Sequence, residues 1–214
     1  MSTGDEHAEL LERAVHDLKN PLAVVRASLE WLEEELVDRP DALDAVRDSA
    51  TACKRIVRIA DDLELLARLE SGGPVERRPV PVAAWLASAS AACAPPRGGS
   101  VVVVETADDL GAATGDSAQL ARALEALIDA CVRGARAGSV VQITAKKDGD
   151  ALAVTVAARG AVDAMAPGAS AHALATTGLG VHLALRVAAA HGGGLTLVAT
   201  DSAPRITLTI PAEA

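Results

Sequence analysis

The residues of this sequence that most clearly suggest chemistry lie close to its N-terminus. His16 is followed directly by Asp17, and Asn20 comes four residues after the histidine. A neutral imidazole is a nucleophile, and a neighbouring carboxylate can accept its ring proton and hold its tautomer. An amide one helical turn away can hydrogen-bond a phosphoryl oxygen or an attacking water. The pattern predicts a histidine that attacks phosphorus, although a lone histidine on a helix surface is more often simply solvated.

A long amphipathic helix is expected to carry these residues. Within residues 7–38, apolar residues recur at alternating intervals of four and three: Leu11, Val15, Leu18, Leu22, Val25, Leu29, Leu32 and Leu36. This heptad seam is typical of helices that pack together along one stripe, and it assigns Val15 and Leu18 to the core. His16 lies one step off the seam, so we expect it on the flank. Pro21 should kink the helix and open its backbone just beyond the histidine.

A second helix is expected over residues 41–71. The segment Asp38–Arg39–Pro40–Asp41 breaks the first pattern, and Asp41 is a candidate cap for the next helix. The two helices form an antiparallel hairpin, with domain limits at residues 1–72. A lone hairpin buries one face of each helix only, so we expect a homodimer in which two hairpins form a four-helix bundle.

Composition excludes several classes of protein. The 214 residues include no Phe or Tyr, and no apolar run approaches the roughly 18 residues of a membrane span. Residues 1–72 carry 9 Lys and Arg against 17 Asp and Glu, which disfavours nucleic acid as a partner. Three well-separated cysteines and a polar N-terminus predict a cytoplasmic protein without disulfides or a zinc site.

The rest of the chain indicates a second domain of mixed structure. Residues 73–80, rich in Gly and Pro, are predicted to be a linker, and residues 81–214 to form an α/β sandwich with five strands and three helices on one face. Asp116 is the predicted N-cap of one of these helices. The fold class is therefore α+β: a helical hairpin followed by a sandwich domain. Residues 160–177 are expected to form a loop.

The block His16-Asp17-Leu18-Lys19-Asn20-Pro21-Leu22 resembles the phosphoacceptor box of bacterial sensor histidine kinases. The resemblance implies that His16 is phosphorylated, that Asp17 assists as an acid or base, and that Asn20 orients phosphate or water. It also implies the dimeric bundle that the heptads favour independently.

A stripe of small and apolar residues continues down the helix from the histidine, off the core seam: Ala23, Val24, Ala27 and Trp31. Such a stripe beside a reactive histidine indicates a docking surface, unless the linker or the second domain covers it. In the resembled family this face receives the receiver domain of a response regulator.

Residues 81–214 resemble the ATP-binding domain of the same kinases. The strongest match is Gly178-Leu179-Gly180-Val181, whose simpler explanation is a glycine turn before a core helix. The residues that the family uses for chemistry have changed. Glu125 and Asp129 occupy the expected asparagine positions, Val132 the basic position, and the segment Ala157–Ala161 lacks the carboxylate that recognises adenine. We therefore expect no ATP and no cofactor of its own.

The leading hypothesis is a histidine phosphotransferase that passes a phosphoryl group between receiver aspartates through His16. Magnesium would come from the receivers, and no metal site is expected in this chain. One alternative is an active histidine kinase with a divergent nucleotide site; because His16 lies so near Met1, its input would have to come from a separate protein. The other is a non-catalytic module that binds a response regulator. A phosphatase role through Asn20 lies between these possibilities.

Overall fold

The structure is a computed structural model that describes residues 3–93, 101–106, 110–134, 138–159, 178–200 and 203–213. The chain divides into two compact units, Met1–Gly73 and Pro74–Ala214. The loop predicted over residues 160–177, with His172 and Gly160, lies outside the described residues, as does the side chain of His7. No helix in the described ranges is long and apolar enough to cross a bilayer.

The first unit is a helical hairpin of α1 (Thr3–Glu35) and α2 (Pro40–Glu70). The heptad seam holds the two helices together, because Val15 is 3% exposed and packs in the same core as Ala60 and Leu66. Leu18, however, is 41% exposed, so the prediction that it lies in the core is wrong for the single chain. One hairpin therefore covers only part of the apolar seam of α1.

The cap predicted for α2 is also wrong. Asp41 lies inside the first turn of the helix, Pro40 occupies its start, and Arg39 precedes it without a capping side chain. Proline is favoured in that place because its fixed φ suits a helix and its missing N–H has no helical partner there. Asp41 still favours the helix, since a carboxylate in the first turn interacts with the positive end of the helix dipole.

The second unit is built on a mixed sheet of five strands: β2 (Val101–Thr106), β4 (Val140–Asp148), β5 (Ala151–Arg159), β6 (Gly194–Thr200) and β7 (Ala203–Pro211). Their order across the sheet is β2-β4-β5-β7-β6. Strands β2 and β4 are parallel, and the other neighbours are antiparallel. Along β5, the residues with 1% exposure or less alternate (Leu152, Val154, Val156 and Ala158), as expected for a sheet with one face packed on a core.

Three helices, α3 (Val82–Ala92), α4 (Ser117–Gly134) and α5 (Leu179–Ala190), form one layer on this sheet. They contact one another in the order α3-α4-α5 and pack on β2, on β5, and on β6 with β7. The predicted cap of α4 is confirmed, because Asp116 Oδ1 accepts hydrogen bonds from the backbone N–H groups of Ala118 at 3.0 Å and Gln119 at 3.1 Å.

Two short strands were not predicted. Strand β1 (Arg78–Pro81) pairs with β3 (Ala112–Gly115) in a separate antiparallel ribbon. The end of the segment predicted as a linker over residues 73–80 is therefore part of the second unit. Two prolines within four residues argue against a strand in sequence, but proline is tolerated in an edge strand with a single neighbour. The prediction of a helical hairpin followed by an α/β sheet unit is confirmed.

Candidate functional site

The His16 side chain is presented to solvent by α1. It is 75% exposed, and the side chain of Asp17 beside it is 84% exposed. The reason is local, because Val15 is buried against α2 and a step of about 100° along the helix turns the next residue outward. Asn20 is also exposed, on the same side of the helix as His16. The three residues share an accessible surface.

The imidazole has a defined relation to the neighbouring carboxylate. His16 Nδ1 lies 3.7 Å from Asp17 Oδ1, which is too long for a hydrogen bond but close enough for electrostatic attraction. In the tautomer with the proton on Nδ1, the nitrogen nearer the carboxylate, Nε2 carries the lone pair. This arrangement suits a nucleophile that attacks through Nε2.

Pro21 lies inside helix α1, which continues on both sides of it. Proline has no N–H, so the carbonyl of Asp17, four residues earlier, lacks its usual helical donor. Leu22 anchors the next position, because it is 9% exposed and its carbonyl oxygen lies 3.7 Å from the Cys53 thiol of α2. The turn of α1 that begins immediately after His16 therefore lacks one backbone hydrogen bond.

Lys19, a residue that the sequence analysis did not single out, connects this turn to α2. Its Nζ lies 2.6 Å from Asp61 Oδ1 and 2.6 Å from Glu64 Oε2. The hydrogen bond to Asp61, and then that to Glu64, raise the pKa of the Lys19 ammonium above its ordinary value of 10.5. No local sequence signal could have identified these partners, which lie more than forty residues further along the chain.

The four residues predicted as a docking stripe lie together on α1. With Ser28 and Leu32 they line an open groove of about 690 Å³, whose walls are mostly apolar. Val24 is 67% exposed and Trp31 is 59% exposed. Exposed tryptophan is uncommon and frequently marks an interface, since its large ring gains much from being covered. The residues of the stripe are Ala23, Val24, Ala27 and Trp31.

The acidic positions of α4 are engaged within the second unit. Glu125 Oε2 accepts a hydrogen bond from Arg122 Nη1 at 3.1 Å, and both side chains are less than one-fifth exposed. Val132 is half-buried. On β5, Ala158 is buried with 1% of its surface exposed, so an apolar methyl faces the helix layer there. This part of the unit offers an internal ion pair and apolar contacts.

The glycines before α5 have a packing explanation. Gly178 precedes the helix in an extended conformation that any residue adopts. A Cβ at Gly180 would lie 3.2 Å from the Cβ of Ala126, so the absence of a side chain lets α5 approach α4 closely. Close helix packing accounts for Gly180 without any bound nucleotide.

His191 lies at the end of α5 and is fully buried. Its Nδ1 donates to the carbonyl of Val187 at 2.7 Å, and its Nε2 accepts the backbone N–H of Asp116 at 3.0 Å. The contact of Nε2 with the Asp116 N–H requires the neutral ring, because a protonated Nε2 has no lone pair to accept the hydrogen bond. Burial lowers the pKa of His191 below the usual 6.5, against smaller opposing effects of Val187 and Asp116. His191 therefore links the end of α5 to the start of α4 through hydrogen bonds.

The three cysteines, Cys53, Cys93 and Cys131, are free and buried. Burial raises the pKa of Cys131 to about 12, so its thiol stays protonated and unreactive. Across the described ranges, no group of three or more His, Cys, Asp or Glu side chains is arranged to hold a metal ion.

Comparison with known proteins supports this description. Residues 6–72 match the His Kinase A (phospho-acceptor) domain. Over 68 residues the chain is 46% identical to the probable sensor histidine kinase TcrY of Mycobacterium tuberculosis (strain ATCC 25618 / H37Rv). That match covers 31% of this chain and 14% of TcrY, so the chain spans a small part of its curated relative.

Solved structures extend the likeness to both units. Full-length ShkA in complex with AMPPNP is 22% identical, with a TM-score of 0.72 over 96% of this chain and 46% of that one. The Acinetobacter baumannii histidine kinase AdeS is 16% identical, with a TM-score of 0.61 over 93% and 98%. At these identities the structures establish the fold. Residues 6–72 therefore have the sequence of a His Kinase A (phospho-acceptor) domain, and the two units of the chain have the fold seen in solved histidine kinases.

Proposed function

We propose that this chain is a histidine phosphotransferase, which relays a phosphoryl group between receiver aspartates through His16 and does so without ATP. The observation that carries the proposal is a contrast. His16 is exposed beside Asp17 and ready to react, whereas Glu125, at a position where the kinase family holds magnesium and phosphate, is held in an ion pair with Arg122.

The transfer would proceed through Nε2 of His16. Its lone pair attacks the phosphorus of a phosphorylated aspartate, the P–O bond to that aspartate breaks, and the aspartate leaves as a carboxylate. The new N–P bond makes the ring cationic, and Asp17 stabilises the charge on Nδ1–H. When the acceptor carboxylate attacks, the N–P bond breaks, an acyl phosphate forms and the neutral ring returns. Asn20 is placed to orient the phosphoryl oxygens.

The loss of ATP binding is supported by the residues of the second unit. Glu125, and Asp129 one turn further along α4, place two carboxylates where a polyphosphate would need amides and a cation. Losing one charge-assisted hydrogen bond costs about 1.5–3 kcal/mol, so several losses weaken a nucleotide site by orders of magnitude. Ala158, buried on β5, provides no carboxylate for adenine. We propose that this unit is a scaffold that contributes contact surface.

The proposed partners are response-regulator receiver domains, docked on the groove that contains Trp31. Each receiver would bring its own magnesium ion in its acidic pocket. We also propose a homodimer, because the hairpin leaves apolar residues of both helices uncovered. Burying them against a second copy is favourable by about 25 cal/mol per Å². These residues are Leu18, Val25, Ile56 and Ile59. The three reduced, buried cysteines support a cytoplasmic location.

One pair of assays tests the proposal. The purified chain is incubated with a ³²P-phosphorylated receiver and magnesium, and separately with γ-³²P-ATP and magnesium. We expect His16 to be labelled by the receiver only, and calorimetric titration with an ATP analogue to give no heat of binding. Labelling from ATP at a rate comparable to that from the receiver would overturn the proposal.

An active kinase is the second candidate, favoured by the 46% identity of the hairpin to a probable sensor histidine kinase and by the likeness to a structure that holds AMPPNP. It predicts the opposite outcome of the ATP assay. A matched variant sharpens the distinction: Glu125→Asn breaks the ion pair with Arg122 and removes one carboxylate, so it should strengthen analogue binding if the nucleotide site is merely divergent.

A further inference from the structure

The turn of α1 that follows His16 is intrinsically weak. Pro21 removes the hydrogen bond to the Asp17 carbonyl, so the segment that carries His16 and the segment that carries Leu22 are joined by an incomplete turn. A helix at such a point bends easily, and a small bend changes where an exposed side chain points. A nucleophile presented to a partner protein needs a fixed direction, because misplacement by about 1 Å can slow a reaction a hundredfold.

Lys19 lies within that incomplete turn and is bound to the neighbouring helix. Its ammonium contacts Asp61 and Glu64, one turn apart on α2, at 2.6 Å each. Two charge-assisted contacts at this distance are among the strongest that a partly exposed pair can make. The Lys19 side chain is 31% exposed, so its stem is packed while its charge is shared between the two carboxylates. The turn is thereby tied to α2.

We propose that Lys19 is a positioning residue for His16: by binding Asp61 and Glu64 it holds the proline-interrupted turn of α1 against α2 and so fixes the direction of the His16 ring. The role is indirect, because the ammonium is directed to α2 and not to the reacting nitrogen. The inference deepens the proposed function, on which its biological meaning rests. Within residues 16–22, Lys19 is the residue whose side-chain charge is paired with carboxylates of α2.

The test uses a phosphodonor that needs neither a receiver nor ATP. Potassium phosphoramidate phosphorylates histidine directly, and the labelling of His16 is followed in the full chain. The variant Lys19→Met keeps the aliphatic stem and removes the charge. We expect labelling about tenfold slower than in the wild type, and a shifted ¹⁵N resonance of the His16 ring. The variant Lys19→Arg, which can contact both carboxylates, should restore the rate and the resonance.

Arg26→Met is the matched control. Arg26 lies on the same helix and is paired within it, its Nε being 3.5 Å from Glu30 Oε1, so the variant loses the same charge without releasing α1 from α2. It should label at the wild-type rate. Labelling of Lys19→Met at the wild-type rate with an unmoved His16 resonance would overturn the proposal.

A charge swap separates positioning from direct action and remains informative if Lys19→Met fails to fold. In Lys19→Glu with Glu64→Lys the connection between the helices is kept but the cation is moved to α2. Labelling within about threefold of the wild type supports positioning. A folded swap that labels as slowly as Lys19→Met overturns it, because the ammonium would then act on the phosphoryl group itself. If the wild type accepted phosphate from no receiver, the proposed function would be wrong, but the comparison of the Lys19 variants with phosphoramidate would still be valid.

Discussion

The two units treat their chemically interesting positions in opposite ways. In the hairpin, His16, Asp17 and Asn20 project into solvent, although exposure contributes nothing to folding. In the sheet unit, Glu125 is bound to Arg122, Gly180 makes room for Ala126, and His191 pins two helices together. Each of these residues has a structural reason to be what it is. Packing is therefore sufficient to explain these three residues of the second unit, whereas the exposed cluster of the hairpin has no such explanation, and the proposed phosphotransfer supplies one.

The largest effect is expected from removing the nucleophile. His16→Gln should abolish acceptance of the phosphoryl group from a phosphorylated receiver, because the amide has no free nitrogen lone pair to attack phosphorus. Labelled transfer followed on acid-free gels measures it, and binding of the unphosphorylated receiver should persist. If the variant retained its biological effect in cells, the alternative of a non-catalytic binding module would replace the phosphotransferase.

The second effect concerns the fold of the sheet unit. Gly193→Ala would place a Cβ 1.9 Å from the carbonyl oxygen of Thr209 on β7, a backbone atom that cannot move aside cheaply. We expect a loss of about 3 kcal/mol in the free energy of unfolding of this unit, measured by urea titration. Gly194→Ala is the matched control, since its Cβ would meet nothing within 4 Å. Equal stability of the two variants would contradict the packing that we describe.

Trp31→Ala should weaken receiver binding by about tenfold or more, since an exposed indole at an interface commonly contributes at least 2 kcal/mol. The hairpin should still dimerise and melt normally, because Trp31 is 59% exposed and outside its core. Val37→Ala, which truncates another exposed apolar residue away from the groove, serves as the control. Equal receiver affinity and equal transfer rate in both variants would contradict the proposal that the receiver docks on this groove.

The smallest effect is a pH dependence confined to the sheet unit. The pKa of His191 is lowered in the folded state, so folding favours the neutral ring. Its contribution is complete above the unfolded value of about 6.5 and is lost as the pH falls from there toward the folded pKa. The unfolding free energy of the sheet unit should fall by up to about 1.4 kcal/mol per pH unit in that window. His191→Gln should flatten the slope; an unchanged slope would assign it to other groups.

Several features followed from local pattern. A heptad seam fixes which side of α1 is buried, and helix geometry then places His16 beside Asp17 and one turn from Asn20. The cap at Asp116 was equally local, since its partners are two and three residues away. The strands β4 and β5 were recognisable because a glycine turn joins two apolar runs. These predictions depend on a few neighbouring residues and survive whatever the rest of the chain does.

Other features depended on partners distant in sequence. Strand β1 holds two prolines and is a strand only because β3 pairs with it, some thirty residues later. The burial of His191 arises where α5 meets the start of α4. Leu18 follows the seam perfectly and is still exposed, because a seam does not state how many helices share it.

The sequence by itself determined the hairpin and the exposed histidine, because each is a matter of residue type at short, regular spacing. The tertiary structure alone decided that Lys19 binds Asp61 and Glu64, and that His191 is a buried pin. Contacts of this kind are selected by packing between segments that are remote in the chain, and no local periodicity encodes them.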